Sequence, residues 1–520
     1  MSTTFSQTLQ RRRPDGQPVL RNWRPLYWLA AAVLLFAFQL LSGTTPLFAL
    51  LVFAFSVLTY LAVRAAGGLR SLMGLCVFVL AVQNVLFSQA AKVFFWQPAD
   101  TPLMWPLETI GIYCLAMAGI ALAGALSIKL GFQRRKPWFM PEVNTQRLRW
   151  MAIICTFLSV IELLGANGTN AETGQASAGG LHGFFAGLSY LPPLAVASGT
   201  AYMIQASNGR RSFGLINAAA IVIPSMVGLV LAIRHITIEA FVIYFVTCWA
   251  FGFRFRPIHY GVLIAGWYVA TFIIFPYALY ARDFVRTRNM EANIGKASSL
   301  LLDMIANPLK YQEKARPKGP RYRFLYYDGN RPNLERFSVL VIADAIVDAT
   351  LRGGTTEMDT ITPAFAMVVP RILLPDKPYN STTLARREPG IVARHDNTTG
   401  ITTGFVCDAF SCFGWPGAFL MPFIFSFCLF SAYRIVIDTR LWYNVFALAW
   451  LSQLTLNYSE QALSLLLITI LQGPIVYSLV LLGINWLVNL GLLNERRREA
   501  TRRRATVGPE AAPEGRLLGI

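Results

Sequence analysis

Pro106–Ile128 reads PLETIGIYCLAMAGIALAGALSI, an apolar run with one charge, Glu108, near its start. A helix rises 1.5 Å per residue, so about 20 apolar residues cross the hydrocarbon of a bilayer. No water reaches backbone N–H and C=O groups inside that layer, so the stretch must be an α-helix. Comparable stretches lie at 26–42, 46–63, 71–95, 150–165, 183–205, 213–232, 236–253, 258–280, 413–433, 441–457 and 462–490. Together they predict an all-α polytopic membrane protein of about twelve spans, the last kinked at Gly473-Pro474. Composition agrees. The chain is 55% hydrophobic and 14% charged, with mean hydropathy +0.47, whereas soluble domains carry about 25% charge.

The net charge of +19 is distributed by connector. Taken alternately, one set of connectors holds Arg64 and Arg70; Lys129, Arg134, Arg135, Lys136, Arg147 and Arg149; Arg210 and Arg211; Arg254 and Arg256; Arg434 and Arg440. Both termini join this set, with Arg11–Arg13 at one end and Arg496–Arg498 and Arg502–Arg504 at the other. Connectors 43–45, 96–105, 166–182 and 458–461 carry no Lys or Arg, and the turn near 233–235 carries Arg234 alone. The positive-inside bias accounts for this pattern and needs no nucleic acid. It places both termini in the cytoplasm of a bacterial inner membrane, and 26–41 reads as an uncleaved first span.

The chain then divides into a basic N-terminal tail (1–25), nine spans (26–281), a large periplasmic loop (282–403), three spans (404–493) and a basic C-terminal tail (494–520). Seven cysteines and four histidines show no complete metal spacing and no disulfide framework. Cys76, Cys114, Cys155, Cys248 and Cys428 read as small core residues. No cofactor is expected.

Polar groups within the spans are functional candidates by default. Lys92, Glu108, Glu162, Arg234, His235, Glu239, Arg282, Arg286, Asp408, Asn457 and Glu460 all fall towards the outer face on this topology. That favours a shallow outward cavity over a conduit, which needs groups through the full depth. Interfacial snorkelling is the plainer reading of any one of them.

The loop has its own pattern. Ser298–Ala306, Phe337–Leu351 and Ala364–Leu374 read as short helices, the second with Asp344 and Asp348 opposite its apolar side. Lys310–Arg336 mixes Lys314, Arg316, Lys318, Arg321 and Arg323 with Tyr322, Tyr326 and Tyr327, a composition suited to sugar stacking and phosphate pairing or to lipid headgroups. Residues 369–379, VPRILLPDKPY, hold Arg371 and Lys377 on a turn stiffened by Pro370, Pro375 and Pro378, which suits a diphosphate. Arg386, Arg387, Arg394, His395 and Asp396 follow, then a Gly/Thr run, Asp408 and Phe413–Gly417.

In Pro370–Pro378 (Pro-Arg-x-Leu-x-Pro-Asp-Lys-Pro), the Gly/Thr run, an acid (Asp408) and Phe-Gly-x-x-Gly (Phe413–Gly417), together with its topology, the chain resembles the Wzy-type O-antigen and exopolysaccharide repeat-unit polymerases and their O-antigen ligase relatives. The motif covers under a tenth of the chain, and Asp408 stands where the family often has glutamate. The resemblance implies a GT-C-like fold and inverting, metal-independent glycosyl transfer. The donor is an oligosaccharide on undecaprenyl diphosphate. The flippase and chain-length regulator of the same pathway are its implied partners, alongside the lipid bilayer. On this reading Arg371, Asp376 and Lys377 bind substrate with Arg234, Arg282 and Arg286, and the base is sought among Asp408, Glu239 and His395.

A ligase using the same chemistry on lipid A–core is the nearest alternative. A lipid-phosphate-sugar mannosyltransferase would place an acidic pair in the first outer loop, where Gly43-Thr44-Thr45 has none. A transporter of lipid-linked glycans predicts internal repeats and polar groups at all depths. A non-catalytic assembly partner would use the loop as a docking surface.

Overall fold

The computed structural model describes residues 25–132, 137, 143–166, 188–230, 234–274, 276–277, 280–281, 290–307, 326–327, 339–358, 361–369, 404–459 and 462–506. Helices account for nearly all of it, and no strand occurs among these residues. In chain order they are α1 (Pro25–Leu41), α2 (Pro46–Ala65), α3 (Leu72–Phe94), α4 (Pro106–Lys129), α5 (Thr145–Ala166), α6 (Leu191–Ala206), α7 (Leu215–Val230), α8 (Arg234–Ala250) and α9 (Pro257–Ile274). The long loop contributes α10 (Met290–Ala306), α11 (Leu340–Gly353) and α12 (Thr362–Val368). Then come α13 (Phe405–Val436), α14 (Val445–Ser459), α15 (Leu463–Leu471) and α16 (Gly473–Thr506).

Among the described residues, six helices are long and apolar enough to cross a membrane: α2, α3, α4, α9, α13 and the Gly473–Leu493 part of α16. The protein is an all-α, membrane-embedded chain. Shorter apolar helices α1, α7, α8 and α14 occupy other segments expected to span. Exposed apolar side chains such as Phe157, Leu215, Ile264 and Trp486 line the outside, as a lipid-facing surface requires. α9 has no buried residue in Pro257–Val269, so that part lies on this surface. Cys428, expected in the core, is exposed there too.

The helices form two packs. α2, α3, α4 and α13 make one, with α1 laid on α2; α5, α6, α7 and α8 make the other, with α16 against α5. α14 joins them by touching α3 on one side and α6 and α8 on the other. At the joint, Trp450 of α14 is stacked between Tyr433 of α13 (centroids 3.8 Å apart) and Tyr477 of α16 (4.1 Å). Both hydroxyls are satisfied: Tyr433 donates to the Thr469 carbonyl at 3.1 Å and Tyr477 to the Phe446 carbonyl at 2.6 Å. The break in the last segment falls at Gln472, one residue before the expected Gly473-Pro474 kink.

Two connector sets gather at opposite ends. Leu72 N–H donates to the Thr439 carbonyl, Leu441 N–H to Arg70, and Tyr443 N–H to Ala250. Arg434 is buried there, donating to Ser127 Oγ and to the Ala66 carbonyl. At the far end, Thr45 N–H meets Asp100, and Ala99 N–H meets Thr44. The arginine-bearing connectors thus share one face and the loop side another.

α13 begins earlier than the expected 413. Residues 405–413 form a helix of about two and a half turns of their own before a sharp reversal at Gly414, whose φ of 61° and ψ of −146° suit only glycine. A Cβ on Gly417 would sit 2.2 Å from the Ala409 carbonyl oxygen, so the reversal also needs glycine there. Phe413–Gly417 is thus a corner, and it aims 405–413 back towards the loop.

Close approach of α4 to α13 has the same origin. A Cβ at Gly119 would lie 2.6 Å from the Phe419 carbonyl oxygen, whereas Gly261 on α9 has nothing within 4 Å. Gly119→Ala is expected to destabilise the purified protein by about 1–3 kcal/mol through overpacking. Gly261→Ala should leave stability unchanged or slightly raised. Thermal unfolding midpoints in detergent check both.

Candidate functional site

The loop's helix α11 is anchored by an acid. Asp344 accepts from Met104 N–H (2.7 Å), Trp105 N–H (2.8 Å) and Thr109 Oγ1 (2.9 Å). These donors belong to the start of α4, where orphan N–H groups favour a carboxylate. Asp348 accepts from Trp105 Nε1 at 2.8 Å. The amphipathic pattern assigned both acids to the polar side of the helix. Asp344 is instead buried, because helix α4 offers it three donors that replace water. Burial pushes the Asp344 carboxyl up from its ordinary range, and the bonds from Met104, Trp105 and Thr109 work against that push. The Asp348–Arg352 ion pair is largely exposed and adds little.

Tyr326 and Tyr327 form a second anchor. Tyr326 donates to the Ala99 carbonyl and accepts from Gln89 Nε2 at 3.0 Å, and Gln39 Nε2 donates to Gln89 Oε1 at 2.8 Å. The buried Lys92 ammonium lies 4.7 Å from the Tyr326 ring centre, a cation–π contact. Tyr327 packs edge-on to Phe95 at 6.1 Å. The expectation that these tyrosines stack on sugars is therefore corrected: both are buried against the bundle.

Asp408, on the short helix 405–413, accepts from Leu463 N–H at 3.0 Å and so caps α15. It is 4% exposed. Beside it, Asn84 Nδ2 donates to the carbonyls of Leu80 and Ser459, and Ser459 Oγ donates to Gln83 Oε1 at 2.9 Å. Gln83 and Asn84 sit in a wide turn, Val82–Leu86, within α3. Such π turns recur at functional sites. No signal in the apolar run 71–95 marked it.

The second pack carries the other carboxylates. Glu239 on α8 is half-buried and accepts from Ser452 of α14. Glu162 on α5 is 5% exposed, and its Oε2 has no hydrogen-bond partner among the described residues. Arg234 begins α8, five residues before Glu239.

Of the residues singled out from sequence, Arg282, Arg286, Arg371, Asp376, Lys377 and His395 lie outside the described residues, as does the motif Pro370–Pro378. Of the predicted site residues that are described, Asp408 lies against α15, Glu239 against α14, and Arg234 stands at the start of α8. Among the described residues the buried charged side chains are Lys92, Glu162, Asp344, Asp408 and Arg434. Lys92 lies over the loop residue Tyr326 and Asp344 ties the loop helix α11 to α4, whereas Arg434 is at the opposite end.

Removing the Asp344 carboxylate should release α11. Asp344→Ala leaves Met104 and Trp105 N–H unsatisfied, a loss of about 1–3 kcal/mol for a buried donor. The expected outcome is faster trypsin cleavage within 308–338 in folded protein, read by gel, with the rest of the bundle intact.

Comparison with known proteins yields no matching family model, no similar curated protein and no similar solved structure.

Proposed function

We propose that the chain is a membrane glycosyltransferase that joins oligosaccharide units carried on undecaprenyl diphosphate into a polysaccharide. On this reading the loop side of an inner-membrane protein faces the periplasm and both termini face the cytoplasm. The single observation that carries it is the segregation of polar groups. Among the described residues, Asp344 and Tyr326 tie loop segments to one end of the bundle, where Lys92 lies over the Tyr326 ring, and the buried charge found at the opposite end is Arg434, tied to Ser127 and Ala66. Buried polar groups confined mainly to one end of the described bundle suit a reaction whose lipid substrates stay in one leaflet.

In the proposed reaction an acceptor hydroxyl attacks the anomeric carbon from the side opposite the diphosphate. The bond from carbon to diphosphate oxygen breaks, and its electron pair leaves with the lipid diphosphate. Arg282, Arg286, Arg371, Lys377 and Arg234 supply positive charge for that leaving group, the electrostatic stabilisation such a step requires. A base must take the hydroxyl proton. Asp408 is nearly sealed and already holds Leu463 N–H. Glu239 is half-buried and so better placed to reach a substrate than Asp408. His395 and Asp376 keep their roles as base candidate and binding residue.

The test is glycan analysis of a deletion strain carrying wild-type protein or Arg371→Ala at matched membrane levels. Loss of polymer, with single repeat units retained on carrier lipid at the outer face, is the expected result. Unchanged polymer removes Arg371 from the site. Units trapped on the cytoplasmic side would instead make export the lost step.

A further inference from the structure

α14 joins the two packs of helices, and Trp450 fixes it in place through its stack with Tyr433 and Tyr477. Two residues on, about 200° further round the helix, Ser452 meets α8. The two helices come together where Tyr443 N–H donates to the Ala250 carbonyl. Counted from that point, Glu239 lies eleven residues along α8 and Ser452 nine residues along the other chain segment, so the two stand level.

Hydroxyls on these helices commonly donate to the carbonyl four residues back. Thr455 does so to Leu451, Ser459 to Thr455 and Thr156 to Ala152, each at 2.7 Å. That acceptor is always at hand, and lipid offers none. Among the described residues, Ser452 donates elsewhere: its Oγ reaches across to Glu239 Oε1 on α8. A carboxylate oxygen outcompetes a backbone carbonyl because hydrogen bonds to an ionised acceptor are about twice as strong. Glu239 is half-buried, and its Oε2 accepts no hydrogen bond from a described residue. One oxygen of the carboxylate is therefore tied to a rigid helix, and the other is left for a ligand.

We propose that Ser452 is a positioning residue for Glu239: it holds Oε1 and so turns Oε2 towards the acceptor hydroxyl. The catalytic part rests on the glycosyl-transfer reading with Glu239 as its base. As the acceptor oxygen bonds to the anomeric carbon, its proton passes to Oε2. The diphosphate leaves with the electron pair of the broken bond. Ser452 contacts no reacting atom. Its effect is to suppress the side-chain rotations that would carry Oε2 out of line with that proton.

Full-length protein in detergent is assayed on undecaprenyl-diphosphate-linked repeat units extracted from the deletion strain. Ser452→Ala is expected to lower kcat about 10–100-fold and to leave KM within about twofold of wild type. Ser452→Thr keeps the hydroxyl and should recover most of the rate. Thr455→Ala loses a hydroxyl that bonds within its own helix, and should leave kcat and KM unchanged. A second readout needs no turnover. The infrared band of the Glu239 carboxyl, isolated as the difference between wild type and Glu239→Gln, should shift in Ser452→Ala and stay in place in Thr455→Ala.

A band unmoved by Ser452→Ala overturns the proposal. So does an unchanged kcat in Ser452→Ala when Glu239→Gln is inactive, and the glycosyl-transfer reading then still stands. If the band shifts but Glu239→Gln makes polymer, Ser452 holds Glu239 and the part of this pair in glycosyl transfer is overturned. If wild-type protein makes no polymer from these units, the glycosyl-transfer reading falls, and the band alone decides whether Ser452 holds Glu239.

Discussion

Trp450 held between the rings of Tyr433 and Tyr477 is the contact on which the arrangement of this bundle depends. Inside a bilayer, helices gain nothing by hiding apolar surface from one another, because lipid is equally apolar. Association rests on close packing and on hydrogen bonds that lipid cannot supply. The stack provides both. Three large rings fill space tightly, and the two tyrosine hydroxyls find backbone carbonyls, in Thr469 and Phe446. The result joins α13, α14 and α16, and through α14 it joins the two packs of helices.

The same shortage of water explains how charges are handled. Each buried ionisable group is set where protein replaces solvent. Asp344 takes two N–H groups and a hydroxyl from the start of α4, Asp408 takes an N–H from the start of α15, and Lys92 sits over a tyrosine ring. Helix starts recur here because their first N–H groups have no partner within the helix. Glu162 departs from this pattern, with an oxygen that no described donor meets. A group held against the general rule is where strain or chemistry is stored.

Much of this was legible in the chain. Apolar runs located the helices, since only a helix satisfies its own backbone in hydrocarbon. The alternation of arginine-rich and arginine-free connectors anticipated the two faces on which those connectors meet. The loop helices at 290–306, 340–353 and 362–368 overlap the expected 298–306, 337–351 and 364–374, the first starting eight residues earlier. Asp344 was misread because an amphipathic pattern assigns acids to water, and it carries no record of a helix start waiting across 240 residues. Tyr326 was misread for the same reason: its partners, Gln89, Lys92 and Ala99, are remote in sequence.

Sequence alone determined what each segment must be, because the cost of an unpaired backbone group in lipid is local and falls on every residue of a run. That a side chain would not fit at the glycine corner Gly414–Gly417 emerges only from the backbone reversal in the structure. Only the tertiary structure decided which segments meet. That choice set Trp450 between two tyrosines, Asp408 under α15, and Glu239 against Ser452. The physical reason is that packing and electrostatic pairing depend on distance in space, and a span of apolar residues is equally content against many neighbours until the few polar and small side chains select one.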